Sequence, residues 1–559
     1  MKPDLKNKAT MQFLKSNVSH LISNIKMKIL KYSILSLAVL SAVSCKKFLT
    51  EDPEGILKVD QYYKTQGDAI NGVNAIYFSL NQGGNSLQTP YNTLFNTGMN
   101  MADDDEDPGP GATNPDVRSL SVLAHSSTNL RIYEIWQQHY ATIRRANIAI
   151  AKIPTIDFDS NLKSRLIGEA KFLRALYYFN LVRLYGDIPL ITEPQDFIKA
   201  SDYAIAKSSS TDVYLQIEKD LKEAADALPV SYTSPNQGRA TKGAAKALLA
   251  KVYLTKASLP LNITAHYADA VRVAEEVLSP ADGGTGNFGY DLFDNYADAF
   301  LPATKNGKEH IFSAQFKSNS QGQGNNENPR AIMSNIPGLT GNYAHMTRYW
   351  TVGTDKFFSI YKLYAPNDKR RDVTFVTRYT SPTNGNYYSL GIDGKAYTYK
   401  PSDPAPTAEL VPFFNKFWDP NSTAVTSESA ANVPILRYSD LLLIHAEAEN
   451  ELNGPTVKAF KSLNRVRRRA GLPDLNLITT PDKNAFRDAV YLERRLELVY
   501  EYQRWFDLIR EKDANGNSTF VTNLHKVGKT NAKDKHRLFP IPQSEIDNNS
   551  LLKQNKDWQ

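Results

Sequence analysis

The sequence predicts a mainly α-helical protein, an α-α superhelix of degenerate tetratricopeptide-like helix pairs with an irregular, loop-rich lobe set into it. Three observations carry that prediction. Residues 161–185 (NLKSRLIGEAKFLRALYYFNLVRLY) repeat Leu162, Leu166, Ala170, Leu173, Tyr177, Leu181 and Leu184 at the period of one helix face. A second apolar row, Phe172, Ala175, Phe179 and Val182, implies that this helix is covered on two sides. From 280 to about 433 the periodicity lapses and Gly, Pro, Asn, Ser and Tyr dominate, which marks ordered loops that carry function.

At the N-terminus, Lys26, Lys28 and Lys31 surround the start of the apolar run ILKYSILSLAVLSAV at 29–43, the form of a secretory signal. The run is shorter than the roughly 20 apolar residues that span a bilayer. Met27-Lys28 reads as an alternative start to Met1, with residues 1–26 as an upstream extension. Cys45 is the only cysteine among 559 residues, so it can form no intrachain disulfide and no thiolate zinc site. The small residues Ala42 and Ser44 lead straight into it, which resembles the lipobox of a bacterial lipoprotein and implies Cys45 as the lipid attachment point and mature N-terminus. Residues 1–44 hold seven Lys and one Asp, so the net charge falls from +7 to +1 on cleavage, and no nucleic-acid partner is expected.

The next helices are expected at 131–153, 161–185 (closed by Gly186, with Pro189 beyond), 211–228, 239–257 and 266–278. Alanines at close contacts and aromatics in the gaps suit stacked pairs that share one continuous core. Within the irregular stretch, YYSLGIDGKAYTY predicts a hairpin turning at Asp393-Gly394. Helical signal returns in RYSDLLLIHAEAENELNG, PTVKAFKSLNRVRRRAG and AFRDAVYLERRLELVYEYQRWFDLIR. The expected organisation is a signal at 1–44, then one domain at 45–559. That domain divides into an N-terminal segment (45–130), helical pairs (131–279), the irregular lobe (280–433) and C-terminal helices (434–559).

Few motifs announce catalysis. GTGNFG at 284–289 has the letters of a dinucleotide loop but follows a helix rather than a strand, so it reads as a flexible loop, and no cofactor is expected. ADDDED at 102–107 lacks the spacing, glycine and distal glutamate of a calcium loop; it reads as a solvated acidic loop, with a place at a ligand mouth as the alternative. Glu493, Glu497 and Glu501 alternate with Arg494, Arg495 and Arg504, which predicts ion pairing along an exposed helix. His445 in HAEAEN has no second histidine four residues on, so it makes no zinc signature. GNYAHMTRYWTVG remains, with Tyr343, Tyr349 and Trp350 in a loop setting. Such rings either pack the lobe onto the helices or stack on flat sugar faces or peptide side chains.

Several segments, in this order, resemble the SusD/RagB family of outer-membrane nutrient-binding lipoproteins of the Bacteroidetes. They are Cys45 with Phe48-Leu49 and Asp52-Pro53, EAKFLRALYYFNLVRLYGDIPL, YDLFDNYADAF with EHIFSAQF, RYSDLLLIHAEAENELNG, LNRVRRRAGLP, ERRLELVYEYQRWFDLIR and the ending FPIPQSEIDNNSLLKQNKDW. The resemblance implies four degenerate helix pairs and a lipid anchor at the cell surface. It also implies a SusC-type TonB-dependent barrel as partner, an oligosaccharide or peptide as ligand, and no enzymatic activity. A helical glycoside hydrolase is the rival class and would need two carboxylates about 5–10 Å apart across a cleft. By analogy the ligand site lies between Tyr91–Asp104 and Tyr343–Trp350. Tyr343, Tyr349 and Trp350 would stack on the ligand, and Asn96 with Asp103 or Asp104 would hydrogen-bond it.

Overall fold

In a computed structural model the described residues are 62–81, 89–109, 112–195, 204–318, 324, 346–381, 383–417 and 429–559, with 18, 19, 21–29 and 31. Two compact units divide at Tyr62/Tyr63. In the first, the described residues between 18 and 31 are helical and exposed. Cys45 and Tyr343 lie outside the described residues.

The second unit is built on helices packed in series. α1 (Gln66–Asn81) lies on α3 (Leu130–Lys152), with the short α2 (Pro115–Ser121) between them in sequence. α3 packs on α4 (Ser160–Tyr185), α4 on α5 (Ser210–Ala227), α5 on α6 (Lys242–Ala257), and α6 on α7 (His266–Glu275). α7 then packs on α8 (Tyr438–Asn453), so the array continues across the whole irregular lobe as if it were not there. α8 also contacts α9 (Val457–Arg469) and α10 (Lys483–Leu498). Starts follow capping chemistry: Asn129, Asp159, Ser209, Thr241, Thr456 and Asp482 each accept a backbone N–H of the following turn. Thr241 in this role explains why the helix expected from 239 begins at Lys242.

α4 is buried along both predicted faces, with Leu166, Phe172, Tyr177, Phe179 and Leu184 inaccessible. At its end Gly186 adopts φ +73°, and a Cβ there would sit 2.8 Å from Leu538 Cδ1, so two constraints select glycine.

Two expectations are corrected here. GTGNFG is not a flexible loop: Thr285 N donates to Glu275 O and Gly286 N to Leu278 O, both at 2.8 Å, tying the segment over the end of α7. A Cβ at Gly284 would lie 2.1 Å from the Leu278 carbonyl oxygen, so the glycines allow close backbone packing. The run AFRDAV to DLIR is not one helix: α10 stops at Leu498, and α11 (Arg504–Arg510) begins after a turn in which Tyr500 and Tyr502 take φ +63° and +60°.

The lobe carries short strands. β1 (Glu106–Asp107), β3 (Met346–Thr347), β10 (Phe413–Phe414) and β6 (Phe375–Val376) form one antiparallel sheet in the order β1-β3-β10-β6. β2 (His310–Ala314) pairs with β11 (Val433–Arg437), and β4 (Trp350–Val352) with β5 (Asp355–Phe358). β7 (Tyr379–Thr380), β8 (Tyr387–Leu390) and β9 (Ala396–Tyr399) form a three-stranded sheet. The hairpin read at Asp393-Gly394 is β8–β9, with Leu390 opposite Ala396 and Gly394 at φ +78°. Aromatic residues give the lobe its own core, including Tyr296, Phe300, Tyr364, Phe375, Phe414, Phe417 and Tyr500.

Candidate functional site

The segment before the lobe folds first into a π-helical run, Pro90–Asn100, whose residues are all buried. It delivers Asp103 to Asp107 to the edge of the lobe. There β1 pairs with β3, Glu106 opposite Thr347 and Asp107 opposite Met346, so the structure does bring the two predicted loop regions together. Arg348 fastens the junction: its N–H donates to Asp105 O at 2.9 Å, Nη1 to Asp107 Oδ2 at 2.9 Å and Nε to Val527 O at 2.8 Å.

Directly after Arg348 the chain makes the β4–β5 hairpin around Gly353 at φ +60°. Trp350 pairs with Phe358, their ring centroids 5.3 Å apart, and Tyr349 meets Phe357 edge-on at 6.0 Å. Trp350 is half-buried, while Phe357 and Val352 are 41% and 47% exposed. Successive strand residues point to opposite faces, so the Trp350–Phe358 pair and the Tyr349–Phe357 pair lie on the two sides of the hairpin, each with aromatic surface partly open to solvent. The Arg495 guanidinium stands 5.8 Å from the Trp350 ring centroid, a cation–π arrangement that helps fix the indole. Lys362 ties the strand base by ion pairs to Asp355 at 2.9 Å and Glu409 at 2.7 Å.

Arg495 leads inward to the acidic segment, which is the opposite of solvated. Asp103, Asp104, Asp105 and Glu106 are all buried. Arg495 Nη2 meets Asp104 Oδ2 at 3.0 Å and Asp105 Oδ1 at 2.6 Å; Arg504 forks onto Asp104 at 2.7 and 3.0 Å. Burial opposes ionisation of Asp104, yet the Arg495 and Arg504 charges overcome it and hold the carboxyl well below the usual range. Asp103 has no such fork; burial and the neighbouring Glu106 and Asp105 push it well up. Lys529, donating to Met101 O at 2.7 Å, is brought down to about 7 by burial, with Arg348 adding to the effect.

These facts correct three predicted ligand contacts. Asn96 is fully buried and donates to Tyr500 Oη at 3.4 Å; Asp103 and Asp104 are 1% exposed. They brace the floor of the lobe and do not present hydrogen-bonding groups to solvent. Tyr349 packs partly into the small core of Tyr379, Val411 and Phe413, so it ties the hairpin to the lobe while its ring edge meets Phe357. Phe357 and Phe358 were not singled out in the sequence, and Arg495 was read only as part of an exposed ion-paired run. The signal of the two phenylalanines was present in WTVGTDKFF, alternating β-formers about a glycine, but an irregular setting hid it.

The Glu493/Glu497/Glu501 pattern is also corrected: its pairs are interior, not exposed. Arg370 forks onto Asp368 at 2.9 and 2.7 Å and meets Glu493 at 2.6 Å; Arg437 holds Glu501 at 2.7 and 2.8 Å and reaches Glu309 and Glu497. Arg469 also joins Glu309 and Glu497; Lys416 meets Glu501 at 2.8 Å, and Arg467 meets Glu493 at 3.0 Å. Five cations thus face five carboxylates between the lobe and the helices. Among the described residues no group of three or more His, Cys, Asp or Glu is arranged to hold a metal ion. His445 bonds Ser462 Oγ through Nδ1 at 2.8 Å.

Stacked helices holding an aromatic-faced lobe define a helical binding scaffold. Comparison supplies the family. A model described as "SusD family" matches residues 308–558, and one described as "Starch-binding associating with outer membrane" matches 84–254. The chain belongs to the SusD family. SusD-like protein P2 of Formosa agariphila is 28% identical over 540 residues, covering 94% of this chain and 99% of that protein. A SusD superfamily structure from Parabacteroides distasonis aligns with TM-score 0.69 at 27% identity, covering 88% and 99% of the two chains. A laminarin-binding SusD-like protein aligns with TM-score 0.67 at 28% identity, covering 88% and 100%.

Proposed function

We propose that this protein captures oligosaccharides at the cell surface and passes them to a SusC-type TonB-dependent transporter, binding without turnover. The observation that carries the reading is the partly exposed Trp350–Phe358 ring pair on a hairpin braced by Arg348 and Arg495. Flat apolar rings held rigidly suit the apolar faces of sugar rings, and rigidity lowers the entropy lost on binding. Tyr349 and Phe357 present aromatic surface on the hairpin's other side, and Tyr343, outside the described residues, is proposed as a further stacking group. The laminarin-binding relative makes a β-linked glucan the first ligand to try. Anchoring through lipidated Cys45 fits the family model's outer-membrane description, and more than one acyl chain gives stable attachment. Among the described residues no helix is long and apolar enough to cross a membrane.

The test is affinity electrophoresis and calorimetry against a glycan panel that includes laminarin. Trp350→Ala is expected to weaken binding of the best ligand at least tenfold with an unchanged melting temperature. Unchanged affinity would remove Trp350 from the site, and a tight ligand found only among peptides would overturn the glycan assignment.

A further inference from the structure

The C-terminal ends of α4 and α6, the start of α5 and the chain's last residues enclose a cavity of about 470 Å³, none of whose lining belongs to the β4–β5 hairpin. Six cationic residues line it against two aspartates, Asp187 and Asp557. Arg510 is committed to Glu447 and Asp507, and Arg537 to Asp534. Asp187 already accepts the N–H of Ser210 at 2.7 Å. Arg183, Lys207, Lys535 and Lys556 are left facing the space.

Arg183 is the unusual group. Its guanidinium is sandwiched between two phenyl rings, Cζ lying 3.7 Å from the Phe179 centroid and 3.5 Å from that of Phe506. Its hydrogen bonds go to neutral oxygens, the Phe179 carbonyl at 3.0 Å and Asn180 Oδ1 at 2.8 Å. Buried Arg174, Arg370, Arg437, Arg494 and Arg510 each meet a carboxylate; among the described residues none lies within ion-pair distance of Arg183. Burial lowers its pKa to about 10, the mark of a cation lacking its counter-charge. Stacking on both faces leaves the in-plane N–H edge as the route to an anion, the geometry in which arginine recognises carboxylate and sulfate oxygens. Lys207 is turned to Asn555 Oδ1 at 3.2 Å, and Lys535 lies 4.0 Å over the Trp558 ring, both at the rim.

We propose that this cavity is a second binding site, for an anionic saccharide of one or two residues whose carboxylate or sulfate meets Arg183. Lys207 and Lys535 close the cationic rim, and Ser210 and Tyr214 add hydroxyl-bearing side chains to the lining. The volume matches a small-ligand pocket. That the anion is carried on a sugar rests on the glycan reading above; the cationic site itself does not.

Calorimetric titration of the full chain with D-glucuronate, D-glucose 6-sulfate, D-glucose and inorganic sulfate tests it. At least one anionic sugar is expected to bind tenfold or more tighter than glucose and than sulfate; which of the two does so tells carboxylate from sulfate. Lys207→Ala/Lys535→Ala, two rim changes that keep the fold, should lose at least tenfold, and Arg183→Met should abolish the signal. Trp350→Ala should leave it intact, which separates failure here from failure of the hairpin reading. Equal binding of glucose and both anionic sugars, no binding of either anion, sulfate binding as well as the sugars, or a double variant that binds like the parent would each overturn the proposal.

Discussion

At the scale of single residues, Tyr500 shows a conformational cost retained for position. Its φ of +63° is disfavoured for any residue with a Cβ, by about 1–2 kcal/mol. The ring stacks on Phe414 with centroids 4.8 Å apart and planes 9° from parallel, and its hydroxyl meets Asn96. That turn also swings Glu501 onto Arg437 and Lys416. Tyr500→Ala is expected to destabilise by about 3–5 kcal/mol through loss of a buried aromatic. Tyr500→Gly should cost about 1 kcal/mol less than the alanine variant, because glycine relieves the backbone term. Denaturant midpoints decide it, and an alanine variant at least as stable as the glycine one would contradict the argument.

At the scale of elements, α10 joins regions distant in sequence. Four of its residues face three ways: Glu493 and Glu497 share Arg370 on one face, Glu493 also meeting Arg467 and Glu497 meeting Arg437 and Arg469, while Arg494 turns to Asp440 and Asp507 and Arg495 to the acidic segment. Helical periodicity turns one short run into a junction between lobe, array and N-terminal segment. Glu497 sits among three guanidiniums, which hold it well below the usual carboxylate range against the opposing effect of burial. Removing one partner of a buried ionic group leaves uncompensated charge, so Glu497→Gln is expected to cost about 3–5 kcal/mol. Guanidinium chloride unfolding at matched pH measures it; a loss under 1 kcal/mol would mean that the network relaxes freely.

For the whole molecule, stability should fall in acid for reasons that can be separated. His139 is buried against Phe95 and Tyr177, and burial lowers it to about 4. An unfolded histidine titrates near 6.5, so between about 6.5 and 4 the unfolded chain gains a proton that the fold refuses; from this group stability falls by about 3 kcal/mol as pH drops. Asp103 and Glu106, held up by burial, act the other way above about pH 4, where only the fold keeps their protons. Below about 4 their opposition ends, and the depressed carboxyls Asp104, Glu497 and Asp507 take over. Their stabilisation is complete above the unfolded carboxyl range and is lost as pH falls through it. Steep acid unfolding is therefore expected below about pH 4. His139→Phe should gain on the parent by about 3 kcal/mol between pH 7 and 4; a constant difference across that window would show that His139 is not held neutral.

The helices and the order of motifs were legible in sequence because 3.6-residue periodicity, capping residues and Gly186 are local properties of the chain. The β8–β9 hairpin was legible for the same reason, since its turn is written in adjacent residues. What ADDDED and the alternating Glu/Arg run do was not legible. Identical charge patterns suit a solvated surface or a buried network, and the difference lies in partners such as Arg504 for Asp104 and Arg437 for Glu497, hundreds or tens of residues away. The Trp350–Phe358 ring pair depends likewise on a strand pairing that bare composition does not state. Sequence alone determined a helical array with an irregular lobe. Tertiary structure decided which charges are interior, because only long-range packing removes water from them and makes each partner obligatory.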